Sequence, residues 1–128
     1  MSVGISLAMK AQAGSEKIAY DLARTAEELI VTSEKQKDAP LTYSFEGPSR
    51  ENWHFFPNWS GRTGVPLYRL SKNQKLLVQK MVELLLSEDG FLEYENLRLI
   101  HGIRKDLNAP DNPMHRYSIS IFGKPSEK

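Results

Sequence analysis

The chain has 128 residues, of which 40% are hydrophobic and 26% are charged, and this composition is typical of one globular domain rather than of a disordered segment. Its 17 basic and 16 acidic side chains give a net charge of +1, which argues against nucleic acid or a membrane as a partner held by bulk electrostatics. Cysteine is absent, so disulfides, thiolate nucleophiles and cysteine-ligated metal sites are excluded.

No stretch of the sequence is apolar over the length that a membrane span needs. The apolar run at residues 3–9 follows no positive charge, so it lacks the pattern of a signal peptide. We therefore expect a soluble protein, either cytoplasmic or exported with its signal peptide missing from this chain. We expect residues 1–14 to form a flexible N-terminal lead, residues 15–125 a single α+β domain, and residues 126–128 a truncated tail.

The N-terminal half of the chain predicts a helix followed by a hairpin. Apolar residues recur at helical spacing from about residue 15 to residue 33, with Ser15 as the expected N-cap. Residues 41–46 alternate apolar and polar side chains, which is the period of a half-buried strand. Residues 47–51 have the composition of a turn, and residues 52–56, "NWHFF", are typical of a second strand that Pro57 ends.

The C-terminal half predicts two helices and a strand. Ser71 and Gln74 form a capping-box pattern at the start of a helix. We expect this helix to end near "SEDG" at residues 87–90, which would place Glu88 and Asp89 at its electrostatically unfavourable end. A further helix is expected over residues 92–107 and a strand over residues 117–122. The expected buried face of the second helix of this pair consists of Leu92, Leu99, Ile100, Ile103 and Leu107.

This order of elements predicts an α+β fold: an N-terminal helix, a β-hairpin, two packed helices and a C-terminal strand that together form a small antiparallel or mixed sheet. A lone C-terminal strand has to pair with the earlier hairpin or with chain beyond Lys128, because an unpaired strand leaves its backbone groups without partners.

The clearest candidate site is an aromatic segment at residues 50–62, "RENWHFFPNWSGR". Trp53, His54 and Arg62 are the candidate ligand-binding residues, and His54 is also a weak candidate for a catalytic base. Arg50 and Arg62 flank the segment, where a guanidinium can stack on Trp53 or Trp59 or hold a carboxylate. The alternative is that His54 is an ordinary strand histidine and that the arginines only cover exposed indole rings.

The remaining histidines, His101 and His115, give no metal-ligand spacing with each other or with His54. We therefore predict no metal site within this chain, and the sequence indicates no particular cofactor. Acidic pairs such as Glu88–Asp89 lie in helical contexts, where a solvated face explains them better than catalysis does.

Four motifs in a fixed order give the chain a resemblance to a known family. They are the Trp-His-aromatic-x-Pro segment, a Gly-x-Pro-Leu lead into a helix, the Ser-x-x-Gln helix start, and a terminal Tyr-x-x-x-x-Phe-Gly-x-Pro strand. The residues that carry them are Trp53, His54, Phe55, Pro57, Gly64, Pro66, Leu67, Ser71, Gln74, Tyr117, Phe122, Gly123 and Pro125. Over residues 22–125 this pattern resembles the family catalogued as domain of unknown function 3500.

The resemblance implies that this chain is similar to the N-terminal part of a longer domain, because members of that family continue into a tryptophan-rich turn and a Gly-His-His segment. The C-terminal remainder of the same domain is therefore an expected partner.

Three functional hypotheses follow. The first is a small-molecule pocket that the aromatic segment helps to line. The second is a hydrolase-like or metal-assisted enzyme whose site is completed by the C-terminal histidines. The third is a purely structural aromatic core.

Overall fold

A computed structural model of the chain describes residues 3–34, 40–52, 63–106 and 117–126, with side chains described from Gly14 onward except those of residues 101–106. Within these described ranges the elements are three helices, four two-residue strands and two short 3₁₀ turns. In chain order they are α1 (Val3–Ser33), β1 (Thr42–Tyr43), a turn at Pro48–Arg50, β2 (Val65–Pro66), a turn at Leu67–Arg69, α2 (Lys72–Leu85), α3 (Glu88–Asp106), β3 (Ser118–Ile119) and β4 (Ile121–Phe122). The predicted α+β class is confirmed.

Helix α1 is longer than the apolar periodicity predicted. It begins at Val3, so Ser15 lies inside the helix and the prediction that it is the N-cap was wrong. The predicted apolar stripe is confirmed in the C-terminal half of α1, where Ala26 and Leu29 are buried and Ile30 packs against the core. The division of the chain at residue 14 stays a prediction.

Helix α2 begins with the predicted capping box. The Gln74 backbone N–H donates to Ser71 Oγ at 3.3 Å, and the Ser71 backbone N–H donates to Gln74 Oε1 at 2.8 Å. Val78 is buried, and Leu77 and Met81 pack at the edge of the core. The box and this apolar face together fix where α2 starts and which side it buries against α1.

Helix α3 begins at Glu88, four residues earlier than the predicted helix. Ser87 caps it, because its Oγ accepts from the Gly90 N–H at 3.2 Å and its carbonyl accepts from the Phe91 N–H at 2.8 Å. Glu88 and Asp89 consequently lie in the first turn of α3, where the helix dipole favours negative charge. The expectation that they lie at the electrostatically unfavourable end of α2 was wrong.

The predicted buried face of α3 is largely exposed in the described part of the chain. Leu92 is 61% exposed, Leu99 is 65% exposed and Ile100 is also exposed. Helical spacing shows that these side chains share a face, but it does not specify that a neighbouring element covers that face. The expectation of burial was therefore wrong for these three residues.

The C-terminal strand is divided between two partners. Strand β3 pairs antiparallel with β2, with Ile119 opposite Val65, whereas β4 pairs parallel with β1, with Phe122 opposite Tyr43. One predicted strand over residues 117–122 thus becomes two short pieces in two two-stranded sheets. The predicted hairpin partner at residues 52–56 lies outside the described residues from Trp53 onward.

Two glycines with positive φ shape these short sheets. Gly64 has φ 98°, and a Cβ there would collide with Ser120 Oγ and the Ile119 carbonyl. The Gly64 N–H also donates to Tyr43 Oη at 2.7 Å, which joins the end of β2 to β1. Gly123, with φ 83°, follows β4 and lies against Phe45. Glycine suits both positions because side chains disfavour this backbone region.

The core lies between α1, α2 and the two small sheets. Its buried members are Leu29, Leu41, Val65, Leu70 and Val78. The half-buried residues Ile119 and Ile121 pack against it, so both pieces of the C-terminal strand contribute to the same core. Phe45, expected on the buried face of the first strand, is instead exposed.

Candidate ligand-binding cleft

A cleft of about 170 Å³ lies where α2, α3 and the ends of β2 and β3 meet. Apolar and aromatic side chains form much of its wall, and three basic side chains lie among them. The lining residues are Leu67, Lys72, Lys75, Leu76, Val78, Gln79, Tyr94, Arg98 and Tyr117. An apolar pocket with a few converging polar groups is the usual form of a small-molecule site.

The N-terminal turn of α2 is anchored by Gln74, which is 4% exposed. Besides its part in the capping box, its Nε2 donates to the Thr32 carbonyl at 3.0 Å and to Ser33 Oγ at 3.1 Å. This amide therefore pairs a carbonyl at the C-terminal end of α1 that has no helical partner. The contacts fix the first turn of α2, from which Lys72 and Lys75 project into the cleft lining.

On the other side of the cleft, a backbone hydrogen bond joins Leu67 to Tyr117 next to the β2–β3 sheet. The Leu67 N–H donates to the Tyr117 carbonyl at 2.9 Å, directly beyond the pairing of Pro66 with Ser118. Leu67 and Tyr117 are therefore held side by side by the same ladder that joins β2 to β3. Both residues are half-buried, so they leave part of their surface for the cleft.

Helix α3 contributes an aromatic ring and a guanidinium. Arg98 Cζ lies 5.5 Å from the centre of the Tyr94 ring, and Arg98 Nη1 lies 3.0 Å from Glu95 Oε1. The Tyr94 ring in turn lies 6.1 Å from the Phe91 ring, centre to centre. These contacts restrict the orientation of Arg98 even though the side chain is partly exposed.

The charge around the cleft is one-sided. Lys72, Lys75 and Arg98 are basic, and no acidic side chain is among the lining residues that the structure describes. The first turn of α2 also has no acidic residue, so its two lysines face the positive end of the helix dipole. Each such lysine costs about 0.3–1 kcal/mol, and a bound anion would offset that cost.

The residues predicted as the site are not among those the structure describes. Trp53, His54 and Arg62, as well as Trp59 and His115, lie outside it. His101 belongs to α3, but its side chain is not described either.

Arg50 has a described contact with an aromatic ring. Its Cζ lies 4.3 Å from the centre of the Phe45 ring, while the suggested stacking on Trp53 or Trp59 involves residues outside the described ranges and stays a prediction. Residues Pro48–Arg50 form the 3₁₀ turn that brings the guanidinium back over Phe45, two residues after the end of β1.

Sequence reasoning missed the cleft, although one signal for it was present. Lys72 and Lys75 at the positive end of α2 are an electrostatic anomaly visible in the sequence alone. Tyr94, Arg98 and Tyr117 gave no such signal, because what brings them to the cleft is the packing of α3 and the pairing of β3.

The described residues offer neither a metal-binding cluster nor a membrane-spanning helix. Across the described ranges, no group of three or more His, Asp or Glu side chains is placed to hold a metal ion. In the same ranges, no helix combines the length and the apolar character that crossing a membrane requires.

The model of one protein family matches residues 15–128 of this chain. The chain belongs to the DUF3500 family. The match confirms the resemblance seen in the motifs, and that family is described as a protein of unknown function. Comparison with curated proteins gives no match, and comparison with solved structures gives none either. Membership of DUF3500 therefore assigns a family without assigning an activity.

Proposed function

We propose that this chain binds a small molecule in the cleft between α2, α3 and the β2–β3 pair. The observation that carries the proposal is the meeting of apolar walls and basic groups in one cleft of about 170 Å³. Apolar walls supply affinity by burying surface, and a few polar groups orient a ligand. The walls are built on helices and on paired backbone, which gives the site a defined shape before a ligand arrives.

We propose that the aromatic segment contributes to the same site through Trp53, His54 and Arg62. The support is the density of aromatic and basic residues in the sequence together with its connection to the cleft wall. Four residues separate Arg62 from Leu67, and an extended chain spans at most about 3.6 Å per residue. The segment is therefore attached close to the cleft, and a tryptophan would suit a ligand with an apolar or aromatic body.

The enzymatic hypothesis stays a prediction that concerns a longer protein. In that version His54 joins C-terminal histidines in a hydrolase-like or metal-assisted site. Metal analysis of a purified longer chain tests it: stoichiometric bound metal that His54→Ala removes would support it, and its absence would rule out the metal-assisted form.

A methyl NMR titration tests the cleft directly. We would label the Leu and Val methyl groups of the 128-residue chain and add phenylacetamide, a neutral probe. We expect saturable shifts at Leu67, Leu76 and Val78, while Val31 and Leu85, which do not line the cleft, remain unchanged. Shifts spread over the whole chain, or none at all, would contradict the proposal.

Matched substitutions on α2 make the test sharper. Leu76 lines the cleft and is 56% exposed, whereas Leu85 is 63% exposed and lies elsewhere on the same helix. Because both side chains are exposed, Leu76→Trp and Leu85→Trp should both fold. We expect Leu76→Trp to fill the cleft and abolish the phenylacetamide shifts, and Leu85→Trp to leave them intact. Equal effects of the two variants would argue against binding in the cleft.

The role of the aromatic segment has its own test. His54→Ala and Arg62→Ala should leave the thermal unfolding of the free chain unchanged and should reduce the stabilisation by phenylacetamide. If Trp53→Ala instead costs several kcal/mol, as truncation of a buried aromatic does, and the other two variants bind normally, the structural-core hypothesis holds.

A further inference from the structure

We infer that the ligand of the cleft is a small aromatic monoanion, of the size and charge of an arylacetate. The inference rests on the proposed function and adds the chemical class of the ligand. Its ring would lie among Leu67, Leu76 and the tyrosines, and its carboxylate would lie toward Lys72, Lys75 and Arg98.

The volume of the cleft sets the size of the ligand. At about 170 Å³ the cleft is close to the engineered apolar cavity of roughly 150 Å³ that binds benzene. It therefore has room for one six-membered ring with a short substituent. A nucleotide or a long acyl chain exceeds this volume, and inorganic phosphate would leave the apolar walls without a partner.

The lining selects an aromatic body. Leu67, Leu76 and Val78 offer apolar surface, and Tyr94 and Tyr117 each present a ring. Aromatic pairs gain from edge-to-face or offset stacking beyond the area that they bury. The Tyr94 ring lies next to the Phe91 ring and under the Arg98 guanidinium, and these contacts restrict its orientation beside the cleft.

The charges select an anion. Three basic side chains and no acidic one are found among the lining residues that the structure describes. Arg98 is paired with Glu95 through one N–H group, but a guanidinium has five N–H donors, so that pair does not exhaust its donors. Lys72 and Lys75 are exposed and can follow a carboxylate on their flexible stems.

Isothermal titration calorimetry on the 128-residue chain separates charge from shape. The probes are phenylacetate, the neutral phenylacetamide, and acetate, which lacks the ring. We expect phenylacetate to bind about fivefold more tightly than phenylacetamide, which corresponds to the upper end of the energy of a solvent-exposed ion pair. Acetate should bind weakest of the three, and added salt should weaken the binding of the two anions but not that of phenylacetamide.

Charge-neutralising variants locate the effect. Lys72→Gln, Lys75→Gln and Arg98→Gln should each lower the phenylacetate affinity about threefold to fivefold and should lower the phenylacetamide affinity by a smaller factor, because the amide carries no charge. Lys80→Gln is the matched control, because Lys80 is an exposed lysine of α2 that lines a different groove, against α1. It should change neither affinity.

The possible outcomes distinguish this inference from the proposed function. Equal affinities for phenylacetate and phenylacetamide would contradict the inference that the ligand is an anion, but the proposed binding function would stand. Failure of both aromatic probes to bind would overturn both proposals. Acetate binding as tightly as phenylacetate would contradict the inference that the ligand has an aromatic ring. An effect of Lys80→Gln as large as that of Lys72→Gln would show non-specific attraction of the anion and would contradict binding in the cleft.

Discussion

Replacing Gln74 with alanine should destabilise the fold more than any other polar truncation on α2. The side chain is almost fully buried, and its two ends serve different helices. Oε1 accepts from the Ser71 N–H at the start of α2, while Nε2 donates to Thr32 and Ser33 at the end of α1. Gln74→Ala therefore removes half of the capping box and the partner of a carbonyl at the end of α1.

The magnitude follows from these two losses. Loss of a helix-capping interaction costs about 0.5–2 kcal/mol, and a buried polar group left without a partner costs about 1–3 kcal/mol. We expect Gln74→Ala to lower the free energy of unfolding by about 2–4 kcal/mol. Gln74→Glu should also destabilise, because a carboxylate can still accept from Ser71 but cannot donate to the Thr32 carbonyl.

Urea unfolding followed by far-ultraviolet circular dichroism measures this loss, provided that the dependence of the free energy of unfolding on urea concentration is the same in the variant and the parent chain. Asn73→Ala is the matched control, since Asn73 is an exposed amide one position earlier in the same turn. We expect that control to change stability by less than about 0.5 kcal/mol. A loss for Gln74→Ala no larger than that for Asn73→Ala would refute the anchoring role of Gln74.

Two further pairs of substitutions test the packing. Gly64→Ala should lower stability by at least about 2 kcal/mol, because φ is positive and the added Cβ meets Ser120. Gly14→Ala, with open space around it in α1, should raise stability by about 0.5–1 kcal/mol, and thermal melts of the two variants check these opposite signs. Leu29→Ala should lower the free energy of unfolding by about 2–5 kcal/mol because Leu29 is fully buried, while Val31→Ala at an exposed position should leave it almost unchanged. Similar urea midpoints for the two variants would contradict the assignment of the core.

Local signals in the sequence predicted the helices best. The capping box of Ser71 and Gln74 is a short-range pattern with its own hydrogen bonds, so it located the start of α2 correctly. The Ser87 cap has the same kind of side-chain bond but no Glu or Gln three residues later. Without that second half, the acidic pair after Ser87 was assigned to the end of α2 instead of to the start of α3.

Local patterns in the sequence do not predict which distant strands pair with each other. Alternation at residues 117–122 predicts an extended chain, but it does not show that Ile119 faces Val65 while Phe122 pairs with Tyr43. Likewise, apolar spacing on α3 groups Leu92 with Leu99 but does not indicate whether another element covers them. The cleft depends on the pairing of β2 with β3 and on the position of Tyr94 and Arg98 on α3, which is why local patterns in the sequence did not predict it.

The central claim is that an aromatic anion occupies the cleft, and intermolecular nuclear Overhauser effects between phenylacetate and the labelled chain test it most directly. We predict contacts from the phenylacetate ring protons to the methyl groups of Leu67, Leu76 and Val78, with none to Val31 or Leu85. Contacts only to methyl groups outside the cleft, or none at saturating phenylacetate, would contradict the claim.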